Sequence, residues 1–309
     1  MVTRNLLLCF LLLTATTAAF GQQLPQYSFF TYNYINYNPA VTGFTPCLEL
    51  RAGFRQQWLG FTGAPRTAFA LAHGRFGEKR NRFHGIGGFV ENDSFGPFSY
   101  TSLMANYAFH FKVASRYTLS AGIGLGFTQN RVDFSSMTLE DQLNETAMTN
   151  SLSDFNFPHI NTGFWLYRAD KFFGLSLRQV RQGTIESLEA KTLRTHYTFA
   201  HGRAFKVSDE ISFLPAVLLN YVGRSRASFE AQGLVEFKET VSLGVGVRGG
   251  NGISGLFKLH MIGNLTLAYA YDLTLSKMRF DSNGTHEIVI GFRSCSAKDR
   301  NHIPCAAYD

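Results

Sequence analysis

Between Tyr117 and Thr128 the chain alternates without a break: Leu119, Ala121, Ile123, Leu125 and Phe127 share one parity, and Thr118, Ser120, Gly122, Gly124, Gly126 and Thr128 share the other. A period of two sends the two sets to opposite faces of a strand, whereas a helix would scatter both around its circumference. The period returns at Leu103, Ala105, Tyr107, Phe109, Phe111 and Val113, and again at Leu265, Leu267, Tyr269, Tyr271, Leu273 and Leu275. The intervening positions are dominated by Gly, Ala, Ser and Thr rather than by Lys and Glu. A soluble sandwich also alternates, but it must bury the apolar faces of two sheets against each other. Dense apolar residues facing small polar ones suit a strand that separates lipid from a barrel lumen.

Composition narrows the architecture further. Charged residues make up 17% of the chain, aromatics 15% with 30 Phe and 13 Tyr, and mean hydropathy is only −0.06. Past the amino terminus no stretch is apolar for the ~18 residues that a membrane helix needs, which excludes a helical bundle. Weaker alternating runs occupy Leu48 to Trp58, Arg66 to Phe76, Gly85 to Asn92, Phe155 to Arg168, Phe172 to Arg181, Arg194 to His201, Ile211 to Tyr221, Ala227 to Lys238, Val241 to Arg248, Gly255 to Met261 and Thr285 to Arg293. With the three clear runs they predict an all-β fold, a single closed antiparallel transmembrane barrel of about 14 strands, an even number as bacterial barrels require. The polar gaps Ser135 to Asp154 and Gln182 to Lys191 are expected as extracellular loops, the first with room for an inserted helix.

The ends read separately. Arg4 precedes the apolar run Leu6 to Leu13, too short to span a bilayer, and Ala19-Phe20-Gly21 offers small residues before a cut, so 1–21 reads as a signal peptide and Gln22 as the mature start. Residues 22–46, aromatic, Asn-rich and nearly uncharged, are expected as a periplasmic N-terminal segment that lines the mouth or docks on another protein. The barrel is placed at 47–293 and a periplasmic Cys-containing tail at 294–309. Loss of Cys9 with the signal leaves Cys47, Cys295 and Cys305. Nearness in sequence favours a Cys295–Cys305 bridge, since a short loop closes at little entropic cost. Barrel closure supplies the rival, Cys47–Cys295, because the first and last strands meet at the periplasmic seam.

No constellation for chemistry emerges, and no catalytic residue, metal site or cofactor is assigned. Gly244-Val245-Gly246-Val247-Arg248-Gly249 fits a dinucleotide-binding spacing but lies inside an alternating run with no helix after it. His286-Glu287 lacks the second His that a zinc protease needs. Net charge is +7, dispersed through lumen and loop positions without a Lys/Arg run, which argues against nucleic acid and for lipopolysaccharide or an acidic envelope partner. Glu49, Glu230, Glu236 and Asp272 are placed to neutralise neighbouring Arg across strands.

Asn38-Pro39-Ala40 with Gly43, followed by Gln57-Trp58-Leu59-Gly60 and Gly63-Ala64-Pro65, resembles the start of the PorP/SprF family of Bacteroidetes type IX secretion and gliding proteins. The resemblance continues through Ala121 to Phe127 and Gly284-Thr285-His286-Glu287-Ile288, with Thr285 where a Ser is common, and covers nearly the whole mature chain. It implies an outer-membrane barrel that is not an enzyme and that assists export or surface retention of a large cargo adhesin. Its implied partners are the periplasmic lipoprotein and ring components, the adhesin, and outer-membrane lipid. A general porin or diffusion channel is the alternative. Within the motifs Pro39 and Pro65 are expected to shape turns, Gly60 and Gly63 the first hairpin, and Trp58 to anchor at the rim or to contact a partner.

Overall fold

Every backbone N–H and C=O that crosses hydrocarbon must be bonded within the protein, so strands of this pattern have to close on themselves. The computed structural model describes residues 24–114, 116–133, 152–180, 194–223, 227–249, 252–261, 264–275, 280 and 282–294. The strands are β1 (Leu48–Gln56), β2 (Arg66–Lys79), β3 (Arg82–Phe95), β4 (Phe98–Lys112), β5 (Thr118–Asp133), β6 (Leu152–Arg168), β7 (Lys171–Arg178) and β8 (His196–Arg203). They continue as β9 (Phe205–Lys206), β10 (Ile211–Val222), β11 (Ser228–Phe237), β12 (Val241–Arg248), β13 (Gly252–Met261), β14 (Leu265–Thr274) and β15 (Thr285–Ser294). The two-residue β9 prolongs β8 past Ala204 against β10. Each strand pairs antiparallel with its chain neighbour, and β1 pairs with β15 from Leu48↔Ser294 to Gln56↔His286, closing a 14-strand barrel.

The faces follow the alternation. On β5 Ser120, Gly122, Gly124 and Thr128 are buried, while Ile123, Leu125 and Phe127 point outward at 46, 62 and 46% exposure. Gly244 and Gly246 lie within β12, in a strand and not in a phosphate-binding turn. Strand ends depart from the expected bounds: β3 runs three residues further at each end, and β6 already begins at Leu152, inside the expected Ser135 to Asp154 loop. Beyond the hydrocarbon the apolar pattern lapses but the ladder does not, as at Gln129↔Asn156 and Arg131↔Asp154. The rest of that loop, the Gln182 to Lys191 gap, the signal segment and the tail after Ser294 lie outside the described residues.

The largest departure concerns the segment before β1. It does not extend at the mouth; it folds into the lumen, and every residue from Tyr27 to Thr45 is buried. Short turns make it compact: a 3₁₀ turn at Phe30–Tyr32, one helical turn at Tyr34–Tyr37 and a second 3₁₀ turn at Pro39–Val41. A 14-strand wall is too wide for its own side chains to fill. The plug's aromatic residues supply the missing core: Tyr34 packs at 5.3 and 5.0 Å against Trp165 and Phe172, which stack on each other, and Tyr27 meets Phe69 at 4.9 Å.

Cys47, where the plug meets β1, is disulfide-bonded. That does not fit the favoured Cys295–Cys305 bridge, which leaves Cys47 as the odd thiol; both candidate partners lie outside the described residues.

Candidate functional site

Orientation comes from the connections. The long ones, 134–151 and 179–195, leave one end of the barrel, and two-residue turns such as Arg80-Asn81 and Ala169-Asp170 leave the other, which is therefore periplasmic. The plug then runs downward: Leu24 and Pro25 lie among Phe95, Thr274 and Thr285 near the extracellular rim, and Cys47 adjoins the periplasmic start of β1.

Its lower half is seated by backbone approach. Asn38 caps the Pro39 turn, its Oδ1 accepting from Ala40 N–H at 2.9 Å, while its Nδ2 donates to the carbonyls of Phe164 and Leu175 at 3.1 Å each. Ser120 and Ser176 donate to Ala40 O and Tyr37 O at 2.7 and 2.6 Å, and a His110 ring nitrogen lies 2.9 Å from Thr42 O. Four lumenal glycines leave the space: a Cβ on Gly85 would overlap Thr42, on Gly122 Ala40, on Gly163 Asn38, and on Gly291 Tyr32. Gly43, at φ +73°, packs against Gly85 in turn.

Its upper half is held by charge. Glu287 accepts the N–H groups of Ser28 and Phe29 at 2.5 and 3.1 Å, and Ser28 Oγ donates to Asp272 at 2.6 Å. Arg55 links Asp272 at 3.2 Å and Glu287 at 3.5 Å; Arg248 links Glu230 at 3.0 Å and donates to Tyr27 O at 2.9 Å. Tyr27 hydroxyl donates to Glu91, and Gln232 donates to Ser28 O at 2.5 Å. Nearer the periplasm Glu49 gathers Arg51, His73 and Arg293, and Lys258 pairs with Glu236. The expected cross-strand neutralisation by Arg is thus present at Glu49, Glu230 and Asp272, whereas Glu236 is met by Lys258, and several of the members also bind plug atoms.

Above the plug lies a cavity of about 410 Å³, with Gln57, Trp58 and Pro65 on its wall beside Arg55, Asp93 and Asp272. The loop that carries them is shaped by Gly60 and Gly63, at φ +95° and +73°, and is tied to its neighbours by Trp58 N–H to Thr285 Oγ at 3.2 Å and Leu59 N–H to Gly284 O at 2.8 Å.

The resemblance motifs therefore occupy two places. Asn38, Pro39, Ala40, Gly43 and Glu287 position the plug, whereas Gln57, Trp58, Gly60, Gly63 and Pro65 build the extracellular cavity; His286 faces outward to Tyr269 at 2.7 Å. Sequence reasoning missed Tyr27, Ser28, Glu91 and His110. The usable signal was the run of lumenal glycines, since glycine within a strand marks close backbone approach.

Among solved structures the fold is similar to the Pseudomonas putida toluene transporter TodX, with TM-score 0.53, 10% identity, and coverage of 84% of this chain and 93% of that one. It is equally similar to a TodX ΔS2S3 mutant monoaromatic hydrocarbon channel, with TM-score 0.53, 10% identity, and coverage of 84 and 94%. At this identity the likeness concerns the fold alone. No curated protein matches. The profile described as type IX secretion system membrane protein PorP/SprF matches residues 19–292, and the chain, an outer-membrane barrel with a filled lumen, belongs to that family.

Proposed function

We propose that this barrel is a non-enzymatic component of the type IX secretion and gliding machinery, assisting export or surface retention of a cargo adhesin. The observation that carries the reading is the filled lumen: residues Tyr27 to Thr45 are all buried inside the barrel. A barrel so occupied offers surfaces rather than passage, which weighs against a diffusion channel. On this reading the adhesin meets the extracellular loops and the cavity beside Trp58. The periplasmic lipoprotein and ring components meet the short turns and the tail after Phe292; the segment before Leu48, expected at that interface, is enclosed and does not serve it. Deleting the gene in the native organism and following surface display of every type IX cargo tests the proposal. Loss of one or more adhesins is expected, with no steady conductance from the reconstituted protein. Normal display of every cargo overturns it, and solute flux would restore the channel.

A further inference from the structure

The periplasmic turns of one sector are strongly basic. Lys79, Arg80 and Arg82 at the β2–β3 turn and Lys112 and Arg116 at the β4–β5 turn are exposed, and none is in an ion pair among the described residues. The two turns adjoin, stitched by Lys112 N–H to Asn81 O at 2.9 Å. The acid in the sector, Glu78, is turned to Arg75 at 3.4 Å.

Immediately toward the bilayer an outward-facing aromatic belt marks the interface. Phe76 stacks on His84 at 5.3 Å, His84 reaches Phe109 at 5.2 Å and Tyr107 hydroxyl at 2.7 Å, and Phe109 stacks on Phe111 at 5.7 Å.

Beyond the belt, in the periplasmic half of the wall, the lipid-facing surface is hollowed into a groove of about 770 Å³. Its floor is small where barrel exteriors are usually large, formed by Ala72, Gly74, Gly88 and Ala105, and Leu48, Ile86, Tyr107 and Leu125 stand around it. The hollow is built in, because a side chain at Gly88 would overlap the carbonyl oxygen of Met104.

Cations at headgroup depth, aromatics at the interface and an apolar hollow at acyl depth form one amphipathic sequence along the wall. We propose that this face holds one anionic phospholipid of the periplasmic leaflet, its phosphate between the Arg80 and Lys112 turns and an acyl chain in the Ala72–Ala105 groove. A zwitterionic lipid fills the groove equally well but gains less from uncompensated cations, which attract anionic headgroups.

Native mass spectrometry of the full chain, released from nanodiscs of equal phosphatidylglycerol and phosphatidylethanolamine, tests the site. One retained phosphatidylglycerol per barrel is expected, favoured about tenfold over phosphatidylethanolamine. The Arg80→Glu/Arg82→Glu double variant should bring that ratio near one. Ala72→Phe should lose the retained lipid of both kinds, and Ala105→Phe does the same from the other side should the first variant fold poorly, as judged by heat-modifiable migration. Equal retention of the two lipids by the unsubstituted protein, or an unchanged preference after charge reversal, overturns the proposal. So does loss of a bound acidic protein on charge reversal with lipid retention unaltered, which would assign the patch to a protein.

Discussion

The carboxylate of Glu287, on the last strand, accepts the backbone N–H of Ser28, near the start of the plug, at 2.5 Å, and its second oxygen takes the next N–H, that of Phe29, at 3.1 Å. The two residues are joined across the lumen by a group that is 1% exposed and also faces Arg55 at 3.5 Å. A buried carboxylate of this kind is stable only while its partners stay in place. The plug's upper end and the wall are thus one hydrogen-bonded unit.

Glu287→Ala should release that end. Each N–H left without an acceptor costs about 1–3 kcal/mol. Limited proteolysis is expected to cut near Ser28 in the variant and not in the unsubstituted protein, and planar-bilayer recording should show intermittent conductance. Glu287→Gln keeps acceptor capacity and should fall between. Protection equal to wild type in Glu287→Ala would place the anchorage elsewhere.

Gly122→Val tests the lower seat. Its side chain would overlap backbone atoms of Ala40, which cannot rotate away, and overpacking of this kind costs about 1–3 kcal/mol. The barrel should still form, because valine suits a strand, but the plug should become accessible to protease. Gly255→Ala, with nothing within 4 Å of its Cβ, serves as control and should be neutral within about 0.5 kcal/mol.

Leu125→Arg tests the register. Leu125 is 62% exposed on the lipid face, and arginine there costs about 2–4 kcal/mol at the midplane. Urea unfolding of the lipid-reconstituted protein should report the loss. A neutral result would mean that the outward parity of β5 is wrong. A bulky residue at Gly124, one position away, should instead collide with Asn106 and alter lumen packing.

Non-reducing peptide mapping should recover Cys47 cross-linked, and we expect Cys295 as its partner. The β1–β15 ladder ends at Leu48↔Ser294, the positions immediately inside those two cysteines. The bridge would staple the seam where the plug enters β1, and reduction should lower the unfolding temperature. A Cys295–Cys305 peptide would overturn this assignment.

The strands and their faces were legible in the chain because lipid imposes a local rule: at Leu119 to Thr128 each residue's side is set by its parity, whatever the remaining strands do. Even the closing pair could be anticipated, since an even number of antiparallel strands returns the last beside the first. Residues 22–46 obey no such rule. Their Tyr, Phe and Asn side chains have no period, and nothing local distinguishes a segment that docks on another protein from one that packs within its own barrel. Only the closed wall decides, by presenting Glu287, Asp272, Asn38's carbonyl partners and the gaps at Gly85, Gly122, Gly163 and Gly291 around one lumen. These groups are separated by up to 259 residues in sequence, and burial inside the lumen, which offers little water to compete, is what makes their bonds to the plug count.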